Sequence, residues 1–372
     1  EDRYRAAAAA LRDWLQQGIL VRDALPAFYV LHQRFRDRLG RERVRKGFIG
    51  LCRLEEFEEK IVLPHEKTLA KPREDRVELF KATHANFSQV FGLYADPEHR
   101  LDPHLTAATR RPPAAEAEFE GVMNRMWRLT GREYLHAIQL AMRDKQVLIA
   151  DGHHRYETAL AYREWRRAQN PGHSGSELYN YVMMFLTNMD DEGLVVEPTH
   201  RVVHSLPAFD ASVFLPELDS LFDVTRYAAD AELEQALRSS EHPAFGLRLA
   251  GTEDAFLLTL KTGIRISEAV PDDLPLELKE LDVTLLHSVI LRDMLGITPE
   301  AQEQKLNLRY VQGLTAAFDQ VRNGSAQLAF ALRATPVEQV KGAARAGQTM
   351  PQKSTFFYPK LPSGLVLNLM ND

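Results

Sequence analysis

The composition describes a folded, mildly acidic chain. Its 372 residues are 45% hydrophobic and 26% charged, with a formal net charge of −6, which excludes wholesale disorder and argues against a general nucleic-acid-binding protein. Cys52 is the only cysteine, so intramolecular disulfides and thiolate-rich zinc sites are excluded and a reducing cytoplasm is the expected compartment. No apolar run approaches the roughly twenty residues that span a bilayer, so no membrane partner is expected.

The length predicts more than one folding unit. A chain of 372 residues exceeds one ordinary hydrophobic core, so two or three domains are expected. We place a core in residues 1–204, an inserted smaller α/β subdomain in 205–265, and a C-terminal α/β part that completes the core and its site in 266–372. The insert carries little chemistry, so its expected role is structural or oligomeric, and a homo-oligomer stays open. Because residue 1 already lies in a helical pattern without an initiator Met, a preceding N-terminal segment is expected.

Apolar periodicity predicts alternating helices and strands, which indicates an α/β protein. The predicted helices cover residues 1–17, 132–143, 229–239, 281–295 and 336–346, with another running to about residue 168. The predicted strands cover 27–31, 47–51, 127–129, 179–187, 222–227, 244–249, 255–260, 308–311 and 326–332. The charged stretch 34–46 is predicted to be a loop or hairpin tip, and 97–115 an exposed loop.

One stretch combines an apolar strand, a polar turn and a helix start. The strand ends at the Asp-Gly-His-His-Arg turn, Asp151–Arg155, and helix-forming residues follow without a linker. The N–H groups and dipole of such a helix start can bind an anion, and Gly152 lets the backbone approach it closely. Arg155 can grip a phosphate with two hydrogen bonds, and His153 or His154 can donate another. A single His near a helix start is usually a cap or a solvated side chain, but so many polar groups around one glycine favour a functional site.

A second polar set follows Pro64. His65 and Glu66 stand within one turn of Thr68, and Pro64 fixes the local backbone. Glu66 is a candidate general base, and His65 a candidate orienting or phosphate-binding group. An ordinary helix start capped by Thr68 explains the same residues equally well.

Two further polar sets lie in the region 179–203. One follows the first predicted strand, and the other lies where the strand pattern resumes. Asp190 and Asp191 are candidate ligands for Mg²⁺, which often takes one or two carboxylates together with substrate phosphates, although a solvated acidic turn fits at least as well. His200 and Arg201 form a cationic pair in apolar surroundings, and a buried Arg needs a partner. That partner is either a substrate anion or a carboxylate of the preceding acidic turn.

The C-terminal stretch is irregular, polar and aromatic at once. Lys353 and Lys360 are suited to phosphates or carboxylates, while Gln352, Ser354 and Thr355 can assist in binding a substrate. A C-terminal strand pair with solvated lysines is the alternative.

Several of these blocks together resemble one prokaryotic family. The resemblance rests on these segments, of which the Asp-Gly-His-His-Arg block is the most specific: Gly47–Leu51, Pro64–Thr68, Ala150–Ala159, Asn188–Asp191, Pro198–Arg201 and Met350–Thr355. They resemble the family catalogued as domain of unknown function 1015, over nearly the whole chain. The name of the family specifies no activity, so this resemblance alone implies none.

The Asp151–Glu157 block is also similar to the phosphate-binding box of the ParB and sulfiredoxin superfamily. That resemblance implies a mixed-sheet, nucleotide-binding α/β (α+β) core, in which the turn of Asp151, Gly152, His153, His154 and Arg155 binds the nucleotide phosphates. The superfamily's free serine kinases phosphorylate L-serine and use an upstream glutamate as base, which corresponds here to Glu66.

The residues and the resemblance agree on one function. We expect a nucleotide-dependent phosphotransferase acting on a small hydroxylated metabolite, with free L-serine as the candidate acceptor, and ATP or ADP with Mg²⁺, or else pyrophosphate, as donor. Glu66 would be the base, His65, His153, His154 and Arg155 would support catalysis, and His200, Arg201 and Gln352–Thr355 would bind the substrate. A nucleotide-binding regulatory switch and a phosphatase or nucleotide hydrolase are the alternatives.

Overall fold

A computed structural model describes residues 2–66, 70–207, 209–271, 274–279 and 281–370. The α-helices, numbered in chain order, are α1 Asp2–Gln16, α2 Ala70–Thr83, α3 Asp102–Ala108, α4 Arg132–Met142, α5 His153–Gln169, α6 Ala211–Leu218, α7 Asp230–Ser239, α8 Ile266–Ala269, α9 Leu276–Lys279, α10 Asp282–Leu285, α11 Pro299–Gln304, α12 Leu314–Arg322 and α13 Val337–Arg345. Short 3₁₀ turns cover Phe57–Glu59 and Leu178–Asn180, and a π-helix covers Leu286–Met294.

The strands follow the same numbering: β1 Phe28–Arg36, β2 Glu42–Arg53, β3 Val62–Leu63, β4 Ala85–Asn86, β5 Val90–Tyr94, β6 Ala115–Phe119, β7 Val122–Leu129, β8 Val147–Asp151, β9 Tyr181–Asn188, β10 Val195–Glu197, β11 Thr199–Val203, β12 Phe222–Tyr227, β13 Ala244–Leu249, β14 Ala255–Leu260, β15 Leu308–Gln312, β16 Leu328–Ala331, β17 Phe356–Tyr358 and β18 Asn368–Leu369. None of the helices in the described part of the chain is both long and apolar enough to cross a membrane.

The contacts group the chain into two compact units. The first unit comprises Glu1–Pro64, Thr68–Val195 and Phe357–Asp372, and the second comprises His65–Lys67 and Val196–Phe356. The three-part division expected from the sequence stays a prediction.

The first unit is built on an eight-stranded mixed sheet. Its strand order is β3-β8-β5-β9-β2-β1-β7-β6, with parallel pairs at β3·β8 and β5·β9 and antiparallel pairs elsewhere. The central strands β5, β8 and β9 are apolar over nearly their whole length because both faces are covered. Helix α5 buries Tyr156, Ala159 and Tyr162 in this core, at the spacing of one helical face.

The second unit is built on a six-stranded sheet in the order β12-β14-β13-β16-β11-β15. Helices α7 and α12 cover one face, where Val202, Leu233 and Phe318 meet. Strands β15 and β16 both run antiparallel to β11, so they are parallel to each other with β11 between them. The two strands predicted at 308–311 and 326–332 are therefore present, but they are not neighbours in the sheet.

The predicted α/β class with a mixed sheet is confirmed, and so are most of the predicted elements. The prediction of an exposed loop over 97–115 is wrong, because helix α3 lies within it. Pro103 stands in the first turn of that helix, where its missing N–H has no intrahelical acceptor to lose. The stretch 34–46 is a hairpin whose strands run further than expected, since β1 reaches Arg36 and β2 begins at Glu42.

Candidate functional site

The turn between β8 and α5 has the geometry of an anion site. Gly152 is the N-cap residue of α5 with φ of 98°, a left-handed conformation that glycine adopts without strain, and it has no side chain that could cap the helix. The carbonyl of Gly152 accepts the first hydrogen bonds of the helix, from the N–H groups of Arg155 and Tyr156. The helix start therefore directs its positive dipole end and the backbone N–H groups of its first turn towards this turn.

The charged side chains of this turn contact one another. Arg155 donates from Nη2 to Asp151 Oδ2 at 2.9 Å and from Nη1 to the carbonyl oxygen of Gln89. Lys360 Nζ lies 3.4 Å from Asp151 Oδ1. Burial lowers the pKa of Arg155, although its charge pairs with Asp151. The sequence suggests Arg155 as a phosphate-binding residue. In the structure, two of its N–H donors are used in hydrogen bonds that stabilise the turn.

Gln89 adds a polar group that the sequence does not point to. Its side chain is 1% exposed, and neither its Oε1 nor its Nε2 has a hydrogen-bond partner in the described part of the chain. A buried amide without partners is energetically unfavourable, so such groups in native proteins usually meet water, an ion or a ligand.

Arg45 is the second residue that sequence reasoning missed. Its fully buried guanidinium lies 4.6 Å from the ring centroid of Phe91 and 5.6 Å from that of Phe185. Phe91 pairs with Phe185 on one side and with Asp151 on the other. The aromatic ring that Arg45 contacts therefore belongs to the strand beside the one that leads into the anion turn. The acceptors of Arg45 are Gln33 Oε1 and the carbonyl oxygen of Pro359, while its Nη1 has no partner within the described ranges.

The charge of Arg45 is only partly compensated. Burial lowers its pKa to about 9, and the negative charges of Asp191 and Asp151 act in the opposite direction. Gln33 in turn donates to Asn124 Oδ1 at 2.9 Å, so a chain of neutral amides holds the guanidinium in place. The first unit therefore keeps a buried cation whose acceptors are all neutral.

In the second unit, the residue sets at 65–66 and 350–355 come together. Met350 N–H donates to the carbonyl oxygen of His65 at 2.8 Å, and Glu66 forms a parallel bridge with Met350. The buried His65 has its Nε2 2.8 Å from Thr355 Oγ1 and 3.9 Å from Glu66 Oε1. The Glu66 side chain is 17% exposed.

Arg201 is buried in the same unit. Its Nε donates to His287 Nε2 at 3.0 Å, its Nη1 to the Thr199 carbonyl oxygen at 2.6 Å, and its Nη2 to that of Gln352 at 3.4 Å. Burial lowers its pKa to about 10, while Tyr310 and Glu66 act to raise it. His200, its neighbour, is also buried and accepts the N–H of Leu332 at its Nδ1.

His287 fixes the orientation of Arg201. Because Arg201 can only donate, His287 Nε2 must be the acceptor, so Nδ1 carries the proton and donates to Gln302 Oε1 at 2.8 Å. Burial lowers the pKa of His287 to about 3, so the ring is neutral at ordinary pH. His287 lies in the π-helix, an irregularity that is frequent at functional sites.

The remaining predicted site residues have mixed surroundings. Ser354 Oγ donates to the Pro351 carbonyl oxygen, and Lys353 is exposed with φ of 57°. Asp190 is exposed, and Asp191 Oδ1 accepts the N–H of Gly193. The described residues contain no group of three or more His, Cys, Asp or Glu side chains that could hold a metal ion. The assignment of Asp190 and Asp191 to Mg²⁺, and the meeting of all four polar sets, stay predictions.

The solved structures to which the chain is similar include three proteins of low sequence identity. A conserved hypothetical protein from Pyrococcus furiosus is 16% identical with a TM-score of 0.40, and the match covers 85% of this chain and 93% of that one. A free serine kinase in complex with AMP is 15% identical with a TM-score of 0.39, covering 83% and 86%. SbnI with C-terminal truncation, from Staphylococcus aureus, is 10% identical with a TM-score of 0.38, covering 83% and 82%.

Sequence comparisons place the chain in a family. No curated protein matches it significantly. A family model matches residues 1–284, which is well over half of the 372 residues. The chain therefore belongs to the family described as protein of unknown function (DUF1015).

Proposed function

We propose that the protein is a nucleotide-dependent phosphotransferase acting on a small hydroxylated metabolite, with free L-serine as the candidate acceptor. The observation that carries the proposal is the buried Arg45, whose Nη1 has no partner in the described structure and whose charge is coupled to Asp151 of the anion turn. A buried guanidinium with only neutral acceptors favours an anionic ligand, because an uncompensated buried charge is costly.

The first unit offers the groups that a polyphosphate needs. Lys360 and Arg155 flank Asp151, the start of α5 supplies a positive dipole, and the Gln89 amide can donate from Nε2. His153 and His154 belong to the first turn of the same helix. Together these groups match a nucleoside di- or triphosphate better than a single carboxylate, because the cations outnumber the one carboxylate among them.

The proposed reaction uses Glu66 as the base. Its carboxylate takes the proton of the acceptor hydroxyl, the hydroxyl oxygen forms a bond to the terminal phosphorus, and the bond from that phosphorus to the bridging oxygen breaks, releasing the shortened nucleotide. His65, held between Thr355 and Glu66, would orient the base. Mg²⁺ bound with the nucleotide would neutralise charge on the phosphates, and Asp190 and Asp191 are its proposed ligands.

The test is a phosphoryl-transfer assay on the full chain. We expect phosphoserine when the protein is incubated with L-serine, Mg²⁺ and one of ATP, ADP or pyrophosphate. Glu66→Gln should lower the rate by about 100-fold or more, because general-base catalysis typically contributes that much, while nucleotide binding persists. The exposed Glu277→Gln in the same unit is the matched control and should leave the rate unchanged.

Each of the other results would either refute the serine-kinase form of the proposal or identify a different function. Absence of phosphoserine with every donor would refute the serine-kinase form of the proposal. Nucleotide binding without turnover, unaffected by Glu66→Gln, would identify a switch, and release of inorganic phosphate without an acceptor would identify a hydrolase.

A further inference from the structure

A small polar cavity in the second unit lies beside Arg201. Its volume is about 220 Å³, and its polar lining comprises Thr199, Arg201, Asp282, Arg333, Thr335, Gln339 and Ser354. It is a separate feature from the anion turn, because every lining residue belongs to the second unit. Its size suits a metabolite of few atoms.

The two arginines of the cavity differ in how their charges are balanced. Arg333 donates from Nε and Nη2 to Asp282 Oδ2 at 3.0 and 2.6 Å, so these two charges compensate each other. The acceptors of Arg201 are an imidazole nitrogen and two carbonyl oxygens, all neutral. Three of the five guanidinium N–H groups are thereby used. The lining residues therefore carry about one uncompensated positive charge, and Arg201 has further N–H donors that remain available.

Thr199 gives a second, independent indication of a ligand. It is 3% exposed, it lines the cavity, and its Oγ1 has no hydrogen-bond partner in the described structure. Its own carbonyl oxygen accepts from Arg201 Nη1, which brings the hydroxyl and the guanidinium close together. The other cavity hydroxyls are occupied, since Ser354 and Thr335 both donate to carbonyl oxygens.

We propose that this cavity binds the carboxylate of a small monoanionic or zwitterionic metabolite, held by Arg201 and by the Thr199 hydroxyl. A single negative charge balances the one unpaired cation, whereas a phosphate dianion would leave excess negative charge in a buried site that already contains Asp282. The planar guanidinium also matches the two oxygens of a carboxylate. Neutral His287 keeps Arg201 in place without cancelling its charge.

This inference deepens the proposed function, and rests on it only where the ligand is taken to be the phosphoryl acceptor. Glu66 forms a parallel bridge with Met350, and Arg201 Nη2 donates to the carbonyl oxygen of Gln352 two residues further on, so the candidate base lies near the proposed carboxylate site. The acceptor would then be a hydroxy acid, with its carboxylate on Arg201 and its hydroxyl towards Glu66.

The experiment is a calorimetric titration of the full chain, with and without ADP. The probes are L-serine and glycerate, which carry both a carboxylate and a hydroxyl, ethanolamine, which lacks the carboxylate, and inorganic phosphate. We expect L-serine or glycerate to bind, ethanolamine not to bind, and phosphate to bind more weakly at this site. Thr199→Val should weaken carboxylate binding about tenfold, because a hydrogen bond to a charged group is lost.

Thr199→Val is chosen because it preserves shape and removes a hydroxyl that has no partner in the described structure, so the fold should persist. Thr284→Val is its matched control: Thr284 Oγ1 is likewise buried without a partner in the described chain, but it lines a different cavity of the same unit. Carboxylate affinity should be unchanged in this variant.

Several results would overturn the inference. These are absence of carboxylate binding with and without ADP, equal binding of ethanolamine and L-serine, tighter binding of phosphate than of the carboxylates when ADP occupies the anion turn, or equal affinities of Thr199→Val and the parent chain. If carboxylates bind as expected but no phosphoryl transfer occurs, the proposed function fails and the inference stands. If transfer proceeds to an acceptor without a carboxylate and no carboxylate binds, the reverse holds.

Discussion

Arg45 and Arg201 share one chemical feature at the scale of single residues. Each is a fully buried guanidinium held by a neutral side chain, Gln33 for Arg45 and His287 for Arg201. A carboxylate in either place would form a stronger pair but would cancel the charge. A neutral side chain fixes the orientation of the guanidinium and does not cancel its charge, so the charge can still attract an anion. We therefore assign ligand-binding roles to both arginines.

Gly152 provides a prediction at the same scale. A Cβ at this position would lie 2.8 Å from Arg155 Nε and 2.9 Å from Nη2, and φ of 98° strains any other residue. We expect Gly152→Ala to lose about 1 to 2 kcal/mol of unfolding free energy and to weaken ADP binding, because Arg155 is displaced. Urea unfolding and an ADP titration measure the two effects.

Gly175→Ala separates backbone strain from the Arg155 contact. Gly175 has φ of 92°, but its Cβ would meet nothing within 4 Å. This variant should lose a similar amount of stability and keep the ADP affinity of the parent chain. Equal ADP affinities for both variants would contradict a role of the turn in binding.

At the scale of elements, periodicity predicts most helices and strands because burial repeats with the period of the backbone. It does not identify Arg45, since a charged stretch resembles an exposed hairpin tip and burial of the charge depends on neighbours far away in the sequence. The period-two pattern of β2 does carry a signal, as Arg45 lies on the same face as the buried Gly47 and Ile49. Gln89 and Thr199 have no such signal, because an unpaired polar atom is visible only in three dimensions.

Strand β2 also gives a prediction at this scale, through its contact with Gly193. A Cβ on Gly193 would lie 2.1 Å from the Val44 carbonyl oxygen and 2.5 Å from the Arg45 nitrogen, and backbone atoms cannot rotate away. We expect Gly193→Ala to lose about 2 kcal/mol or more of unfolding free energy and to weaken ADP binding, because the strand that carries Arg45 must shift. In the control Gly172→Ala, the nearest atom to the new Cβ lies at 3.5 Å, and both quantities should be unchanged. Unaltered stability of Gly193→Ala in urea would show that the turn can move away from β2.

At the scale of the whole molecule, buried histidines make both units sensitive to acid. Burial lowers the pKa of His32 in the first unit to about 4 and that of His287 in the second to about 3. Burial also lowers the pKa values of His84 and His204. Below about pH 6.5 the unfolded chain binds protons at these residues while the folded chain does not, so stability falls as the pH decreases.

The size of this effect can be measured. Between pH 7 and pH 5 we expect the unfolding free energy to drop by about 2 kcal/mol from His287 alone. Calorimetric scans at both pH values give the drop for the parent chain and for His287→Gln, which should show a smaller drop even if it is less stable at pH 7. The exposed His136→Gln should match the parent chain, because removing an exposed imidazole leaves the buried ones in place. An equal drop in His287→Gln would mean that His287 binds its proton as readily in the folded chain as in the unfolded one. It would contradict the conclusion that a neutral His287 orients Arg201.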